Sequence, residues 1–315
     1  MPKVSVITSL FNCLAHTQAM VAGLQETLPR GLDHEIILID DGSTDGTRAW
    51  LATLGPPFRV LLNERNLGFG ASNNRGAALA SGDLLLLLNN DLILPPGWLP
   101  PLLAAHRRLG DRAGLVGNVQ LAAATGAVDH AGMRVGLHGK PEHIREQRPA
   151  PGRAFAPVRR VAFLTGACLL VSSALWRRLG GFDETFVNGC EDVDLCLRAR
   201  AAGQVNAVAL RSVIRHHISP SPGRNLHNEQ NSRRLLRRWG GELARLGARR
   251  WCRDYLVREW TGAHAAADHA QAGAALLYAL HLRATPPAFA LAGMHAALAR
   301  EFARWDHILP PETAA

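Results

Sequence analysis

The sequence predicts an α/β fold, a doubly wound and mostly parallel sheet followed by a helical appendage. Short apolar runs alternate with helical patterns through the first half of the chain. Polar and acidic residues follow directly on those runs, at the carboxyl ends of strands where open α/β sheets bind their ligands. Beyond Asn225 the composition shifts toward arginine, alanine and leucine at helical spacing.

Taken in order, Val4 to Leu10, Glu35 to Ile39, Arg59 to Leu62 and Leu84 to Leu88 read as strands with helices between several of them. Gly114 to Leu121, Val161 to Val171 and Ala207 to Arg215 read as further strands, whereas Ala122 to Pro157 is rich in Gly, Pro, His and Arg and reads as loops and short strands. Leu235, Trp239, Leu243 and Leu246 recur at helical spacing among many arginines, which predicts a basic amphipathic helix. From Ala263 to Ile308 the chain is rich in Ala, Leu and His. Pro286 and Pro287 break that stretch, so two more helices with a kink or turn between them are expected. The expected division is a ligand-binding domain over 1–224 and a helical region over 225–315.

The 315 residues, 47% hydrophobic and 19% charged, suffice for a full core and exclude a disordered chain. A net charge of +9 suits a polyanionic partner, whether nucleic acid, an anionic membrane face or a phosphate-bearing substrate. The apolar run at Leu84 to Leu88 stops at Asn89 and is too short to span a bilayer. No secretory pattern is visible at the N-terminus, and five cysteines without metal-binding spacing fit reduced thiols, so a cytoplasmic location is expected.

The strand ending at Ile39 runs into Asp40-Asp41-Gly42-Ser43-Thr44-Asp45, a turn able to hydrogen-bond a base or ribose, or simply to cap the next helix. A dinucleotide fold would need a glycine-rich turn after the first strand. Here that turn reads Thr8-Ser9-Leu10-Phe11-Asn12, and the NAD reading loses its support. Asn66, Gly68, Gly70, Asn74 and Gly76 make a small, amide-rich entry to a helix that suits a nucleotide or phosphate, or ordinary loop chemistry. Leu84 to Leu88 delivers Asn89-Asn90-Asp91 at its end. Asp91 is the candidate oxygen ligand for a hard cation that neutralises a leaving diphosphate, against a turn-capping role.

Farther on, Glu191, Asp192 and Asp194 gather near a helix start. Asp194 and Arg198 have the (i, i+4) spacing of a surface salt bridge, so Asp194 is read as structural. Adjacent acids at a helix mouth supply a general base and a partner that orients it, which makes Glu191 and Asp192 the candidate catalytic pair, against helix capping. After Ala207 to Arg215, a neutral imidazole from His216 or His217 could complete a metal's coordination.

These segments, in this order from about Val4 to Ser221, resemble the family 2 glycosyltransferases, especially the bacterial branch with rhamnosyltransferases of O-antigen and polysaccharide assembly. The motifs are Asp40-Asp41-Gly42-Ser43-Thr44-Asp45, Asn66-Leu67-Gly68-Phe69-Gly70 with Asn74 and Gly76, Asn89-Asn90-Asp91, Gly181-Phe182-Asp183-Glu184 and Glu191-Asp192-Val193-Asp194. The resemblance implies a GT-A fold, a UDP- or dTDP-sugar donor, Mg²⁺ or Mn²⁺ at the Asp91 motif, and inversion at the anomeric carbon with Asp192 as base. It implies donor contacts at Thr8, Ser9, Asp40, Asp41, Asn66, Gly68, Asn74, Asn90 and Gly166. It matches His216 best to the family's metal-side histidine, because Ser219 and Ser221 follow, with His217 as the alternative. This chain has Asn89 and Asn90 where the family motif often carries an acid, a form that also occurs in this branch.

The expected partners are a nucleotide-diphosphate sugar and a glycan or lipid-linked acceptor, with nucleic acid disfavoured. The arginines and tryptophans between Arg233 and Trp260 read either as a solvated face or as a peripheral contact with the inner face of the membrane. Two other classes remain to be weighed: a sugar-nucleotide nucleotidyltransferase, which would need a basic glycine-rich loop missing here, and a basic nucleic-acid or membrane-surface binding protein.

Overall fold

The computed structural model describes residues 2–146, 157–217, 227–260 and 268–310. The first part runs β1 (Val4–Leu10), α1 (Leu14–Thr27), β2 (His34–Asp40), α2 (Thr47–Leu51), β3 (Phe58–Leu62), α3 (Phe69–Leu79), β4 (Leu84–Leu88), β5 (Leu92–Ile93) and α4 (Leu99–Leu109). It continues through β6 (Ala113–Ala122), β7 (Val128–His130), β8 (Met133–Val135), β9 (Pro141–His143), β10 (Val158–Arg160), β11 (Cys168–Ser172), α5 (Ser173–Leu179), α6 (Glu191–Ala201) and β12 (Val205–His216). Among the described residues three helices follow: α7 (Asn228–Trp260), α8 (His269–Ala279) and α9 (Ala288–Ile308).

The main sheet has the order β10-β12-β6-β11-β4-β1-β2-β3. Strands β3, β2, β1 and β4 pair in parallel, and so do β6 and β12, while β11 runs antiparallel between β4 and β6. Alternate residues serve opposite faces of a strand. Val4, Val6, Leu10, Ile36, Leu38, Leu84, Leu86 and Leu88 share a buried cluster with Met20 and Leu24 of α1 and Leu99 and Leu102 of α4. On the other face Ile7 and Ile39 press against Gly76 of α3. Burial on both sides is why these strands read as continuous apolar runs.

The expected strand over Val161 to Val171 is corrected to β11 alone, Cys168–Ser172. Phe163 makes an isolated bridge to Met133, and Gly166-Ala167 turn the chain before β11 begins. The run is apolar because Val161, Phe163 and Leu164 are buried by packing, not because they belong to one ladder.

The chain divides into two compact units, Met1–Met133 with His143–Arg224, and Arg134–Glu142 with Asn225–Ala315. The second therefore includes a short segment from the middle of the sequence besides the C-terminal helices. Within it Leu235 and Leu243 of α7 are buried, as are Ala290, Met294 and Trp305 of α9. Pro287 stands at the N-cap of α9, which accounts for the break between α8 and α9. Among the described residues no helix is long and apolar enough to cross a membrane.

Candidate active site

The loops after β1, β2 and β3 are stitched together at the carboxyl edge of the sheet. Asn12 donates its backbone N–H to Ser43 Oγ at 2.8 Å and accepts the Thr44 N–H on Oδ1 at 2.8 Å. Asp40 is fully buried, and its carboxylate takes Arg48 Nε at 2.6 Å with the Gly42 and Ser43 N–H groups at 3.3 Å. Asp41 accepts Asn63 Nδ2 and the Leu67 N–H on Oδ1, both at 2.8 Å, and the Gly68 N–H on Oδ2 at 2.9 Å. Both acids therefore lie beneath the loops and shape them. Gly42 has φ +83°, and a Cβ there would meet the Arg65 and Asn66 backbone at 2.8 Å, so the β2 loop packs this closely only with glycine.

The other expected donor contacts separate into two groups. Asn74 is committed to the segment after α5: Nδ2 donates to Phe182 O and to Glu184 Oε1, and Oδ1 accepts the Phe182 N–H, all at 2.9 Å. That use leaves its amide no spare proton for a nucleotide. Ser9 Oγ accepts from Asn73 Nδ2 at 3.0 Å, and Asn90 donates to Thr17 Oγ1 at 2.9 Å. Thr8 is fully buried and its Oγ1 has no hydrogen-bond partner. Asn66 is exposed, and Gly68, at φ +91°, stands at the start of α3 with its N–H held by Asp41.

Asp91 follows β4, and its backbone carbonyl accepts the His217 N–H at 3.1 Å at the end of β12. Of the two histidines, His216 turns inward: its Nε2 lies 3.1 Å from Asp91 Oδ1, and neither ring nitrogen has a hydrogen-bond partner. His217 is exposed and stacks on His16 with ring centroids 4.3 Å apart. Ser219 and Ser221 lie outside the described residues. Two cis ligands of an octahedral cation with bonds of about 2.1 Å stand about 3 Å apart, so the Asp91–His216 pair fits one divalent ion. Among the described residues no three His, Cys, Asp or Glu side chains converge into a metal cage.

Asp192 stands in the first turn of α6, whose N-cap Cys190 has φ 71°. Its Oδ2 accepts the Gly166 N–H at 2.9 Å and its Oδ1 the Val193 N–H at 2.8 Å. Burial raises its pKa above the usual carboxylate value, opposed by those two N–H groups and by the neighbouring His143. A Cβ at Gly166 would lie 2.9 Å from the Phe69 ring, so glycine permits this close fit. Because Ala167 O accepts the Asn89 N–H at 2.9 Å, Asp192 and the Asp91 loop are tied to the same segment. Glu191 is buried and accepts the Gly189 N–H at 2.6 Å, which closes its own turn. Asp194 pairs with Arg198 at 2.7 Å as the spacing predicts, but it is fully buried, which corrects the expected surface bridge.

The sequence reading passed over four residues near this site. Asn118 and Gln120 on β6 and His130 on β7 are fully or almost fully buried, and His130 Nδ1 lies 3.2 Å from His143 Nδ1. Burial, more than any neighbouring group, pushes the His130 pKa well below its usual value. The available signal was a pair of amides two positions apart inside an apolar strand.

A sheet with this order, its polar loops gathered at one edge, defines a protein of the GT-A fold. GalNAc-T7, solved with UDP, GalNAc and Mn²⁺, matches with a TM-score of 0.64 at 18% identity, over 79% of this chain and 50% of that one. The family model for glycosyl transferase family 2 matches residues 5–169. The chain belongs to that family. The O-antigen biosynthesis protein RfbC of Myxococcus xanthus is 33% identical over 231 residues, 70% of this chain and 18% of that protein. The N-acetylglucosaminyl-diphospho-decaprenol L-rhamnosyltransferase of Mycobacterium tuberculosis H37Rv is 30% identical over 237 residues, 67% of this chain and 74% of its own. Against the first relatives it matches, the chain spans only 28% and 18% of their length.

Proposed function

We propose that this chain is an inverting glycosyltransferase that moves a sugar from a UDP- or dTDP-sugar to a hydroxyl of a glycan or lipid-linked saccharide. The observation that carries the reading is the 3.1 Å approach of His216 to Asp91, joined through Asn89, Ala167 and Gly166 to the Asp192 carboxylate. Family membership favours neither alternative class. The relative whose name describes transfer of L-rhamnose in N-acetylglucosaminyl-diphospho-decaprenol metabolism supports a lipid-linked acceptor. The arginine-rich α7 supports peripheral contact with an anionic membrane face.

Each Asp192 oxygen holds one backbone N–H, and its remaining lone pairs can receive the acceptor hydroxyl. As that oxygen bonds to the anomeric carbon, the bond to the diphosphate breaks on the opposite face and the proton passes to Asp192. A carboxylate with a raised pKa is a better base for this step than an exposed one. Mg²⁺ or Mn²⁺ held by Asp91 and His216 would neutralise charge on the departing diphosphate. The loops shaped by Asp40, Asp41, Asn66 and Gly68 would form the nucleotide side, with Thr8, Ser9, Asn90 and Gly166 around the diphosphate and sugar.

Calorimetric titration of UDP and dTDP with Mn²⁺ into the parent and Asp91→Ala tests the metal assignment. Asp91→Ala should lose the metal-dependent part of binding and remove transfer. Parental binding and cation dependence in the variant would reduce Asp91 to a turn residue.

A further inference from the structure

Strand β6 is apolar except where Asn118 and Gln120 face the same side, two residues apart. Gln120 stands opposite His130 in the β6–β7 ladder, which puts His130 on that side as well. Gln120 Nε2 donates to Asn118 Oδ1 at 3.4 Å, and His143 takes His130 Nδ1 at 3.2 Å. What remains is Asn118 Nδ2 and His130 Nε2, both buried and without a hydrogen-bond partner, on residues that are fully buried. Leaving buried polar atoms unmade is costly, and two on one strand-pair face mark a place that a polar ligand completes.

The surroundings identify which part of the ligand. Strand β6 lies between β12, which ends in His216, and β11, which opens just beyond the Gly166 whose N–H binds Asp192, so the stripe lies between the cation end and the base end of the site. In a direct displacement the diphosphate departs at the first end and the acceptor hydroxyl arrives at the second. The ring of the transferred sugar occupies the interval. Its hydroxyls both donate and accept, which matches an amide NH₂ group and a neutral imidazole.

We propose that Asn118 and His130 are the wall that reads the hydroxyls of the donor sugar, with His143 as a positioning residue that fixes the His130 ring. This rests on the glycosyltransferase reading above. Neither residue belongs to the five motifs, so donor choice is set by positions that carry no motif.

The test uses the full chain with Mn²⁺, measuring affinity for UDP and dTDP alone and for UDP-glucose, UDP-galactose, UDP-N-acetylglucosamine, UDP-N-acetylgalactosamine and dTDP-L-rhamnose. For the tightest of these donors, analogues lacking one ring hydroxyl at a time are then titrated. His130→Phe and Asn118→Leu should keep nucleotide affinity within about twofold, lose about 10- to 100-fold in sugar-nucleotide affinity or turnover, and stop discriminating one deoxy donor from its parent sugar. His130→Gln keeps a polar tip and should retain part of that discrimination, and it serves where His130→Phe does not fold. Deoxy donors discriminated by the variants as by the parent would overturn the proposal. So would a parallel loss of UDP and Mn²⁺ binding, which would make His130 part of the cation site. A parent chain that binds none of the donors sinks the transferase reading itself and the proposal with it.

Discussion

The loops that carry the family motifs and the β6–β7 wall use their polar groups in opposite ways. Asp40, Asp41 and Asn74 are motif residues, yet their side chains are occupied by Arg48, by backbone N–H groups and by Phe182 and Glu184. Asn118 and His130 stand in no motif, yet each retains a buried polar atom with no partner. The difference teaches that a motif in this fold is largely a folding instruction for loops. It positions backbone groups, Asp91 and Asp192, whereas the buried polar atoms of Asn118 and His130 that lack a hydrogen-bond partner lie beside it. Asp192 bridges the two cases, because both of its oxygens are anchored by single backbone N–H groups and retain lone pairs.

The sharpest test of that distinction is Asp192→Asn. It preserves shape and most hydrogen bonding but removes the proton acceptor, so turnover should fall by roughly 10² to 10⁴ while donor affinity and melting temperature stay near parental. The raised pKa of Asp192 also sets the sign of the pH profile. In the proposed mechanism the ionised form is the active one, so kcat/KM should decline on acidification with a midpoint above the ordinary aspartate value. Near-parental transfer by the variant would remove Asp192 from the chemistry and break the comparison at its central residue.

Next in size is Asp194→Asn, two residues away and opposite in character. Asp194 is fully buried and its partner Arg198 is 15% exposed, with Arg198 Nη1 also bonded to Leu179 O. Removing the carboxylate leaves a largely buried guanidinium uncompensated, which should cost about 2 to 3 kcal/mol. The melting temperature should drop by roughly 5 to 10 °C, while turnover per folded molecule holds. A loss of turnover without a loss of stability would move the catalytic base toward Asp194.

Much of this was legible because strands buried on both faces announce themselves as apolar runs, and β1, β2 and β4 lie within a residue of where the pattern puts them. The places of Asp91 and Asp192 in the fold were legible for a related reason, since Asp91 comes just after a strand and Asp192 opens a helix. What stayed hidden depends on distance in the chain. The orientation of His216 rather than His217 toward Asp91 is decided by how β12 ends beside the β4 loop. The burial of Asp194 follows from α6 packing against β6 and β12, whereas (i, i+4) spacing alone reports only the pairing. His130 was missed because its neighbour, His143, is 13 residues along in a stretch without periodicity.

The smallest effect is expected at Glu35, at the amino end of β2 and thus on the edge of the sheet away from the ligand loops. Its Oε1 accepts Ser5 Oγ at 2.6 Å, the Ser81 N–H at 2.6 Å and Ser81 Oγ at 2.9 Å, and its Oε2 pairs with Arg59 at 2.8 Å. Burial alone would raise its pKa, but these donors outweigh it and bring the group from 4.5 down to about 2. A carboxyl depressed on folding stabilises the native state above its unfolded pKa, and that contribution is lost as pH falls toward the folded value. Glu35→Gln should therefore cost about 1 kcal/mol at pH 7, a modest figure because Arg59 is half exposed and its charge is screened. The difference in melting temperature between parent and variant should narrow between pH 4.5 and pH 2. Turnover per folded molecule should not change, since no ligand atom is expected at this edge. A difference that widened on acidification would reverse the sign of the Glu35 contribution, and altered donor affinity would show that polar groups at the far edge of the sheet also govern the site.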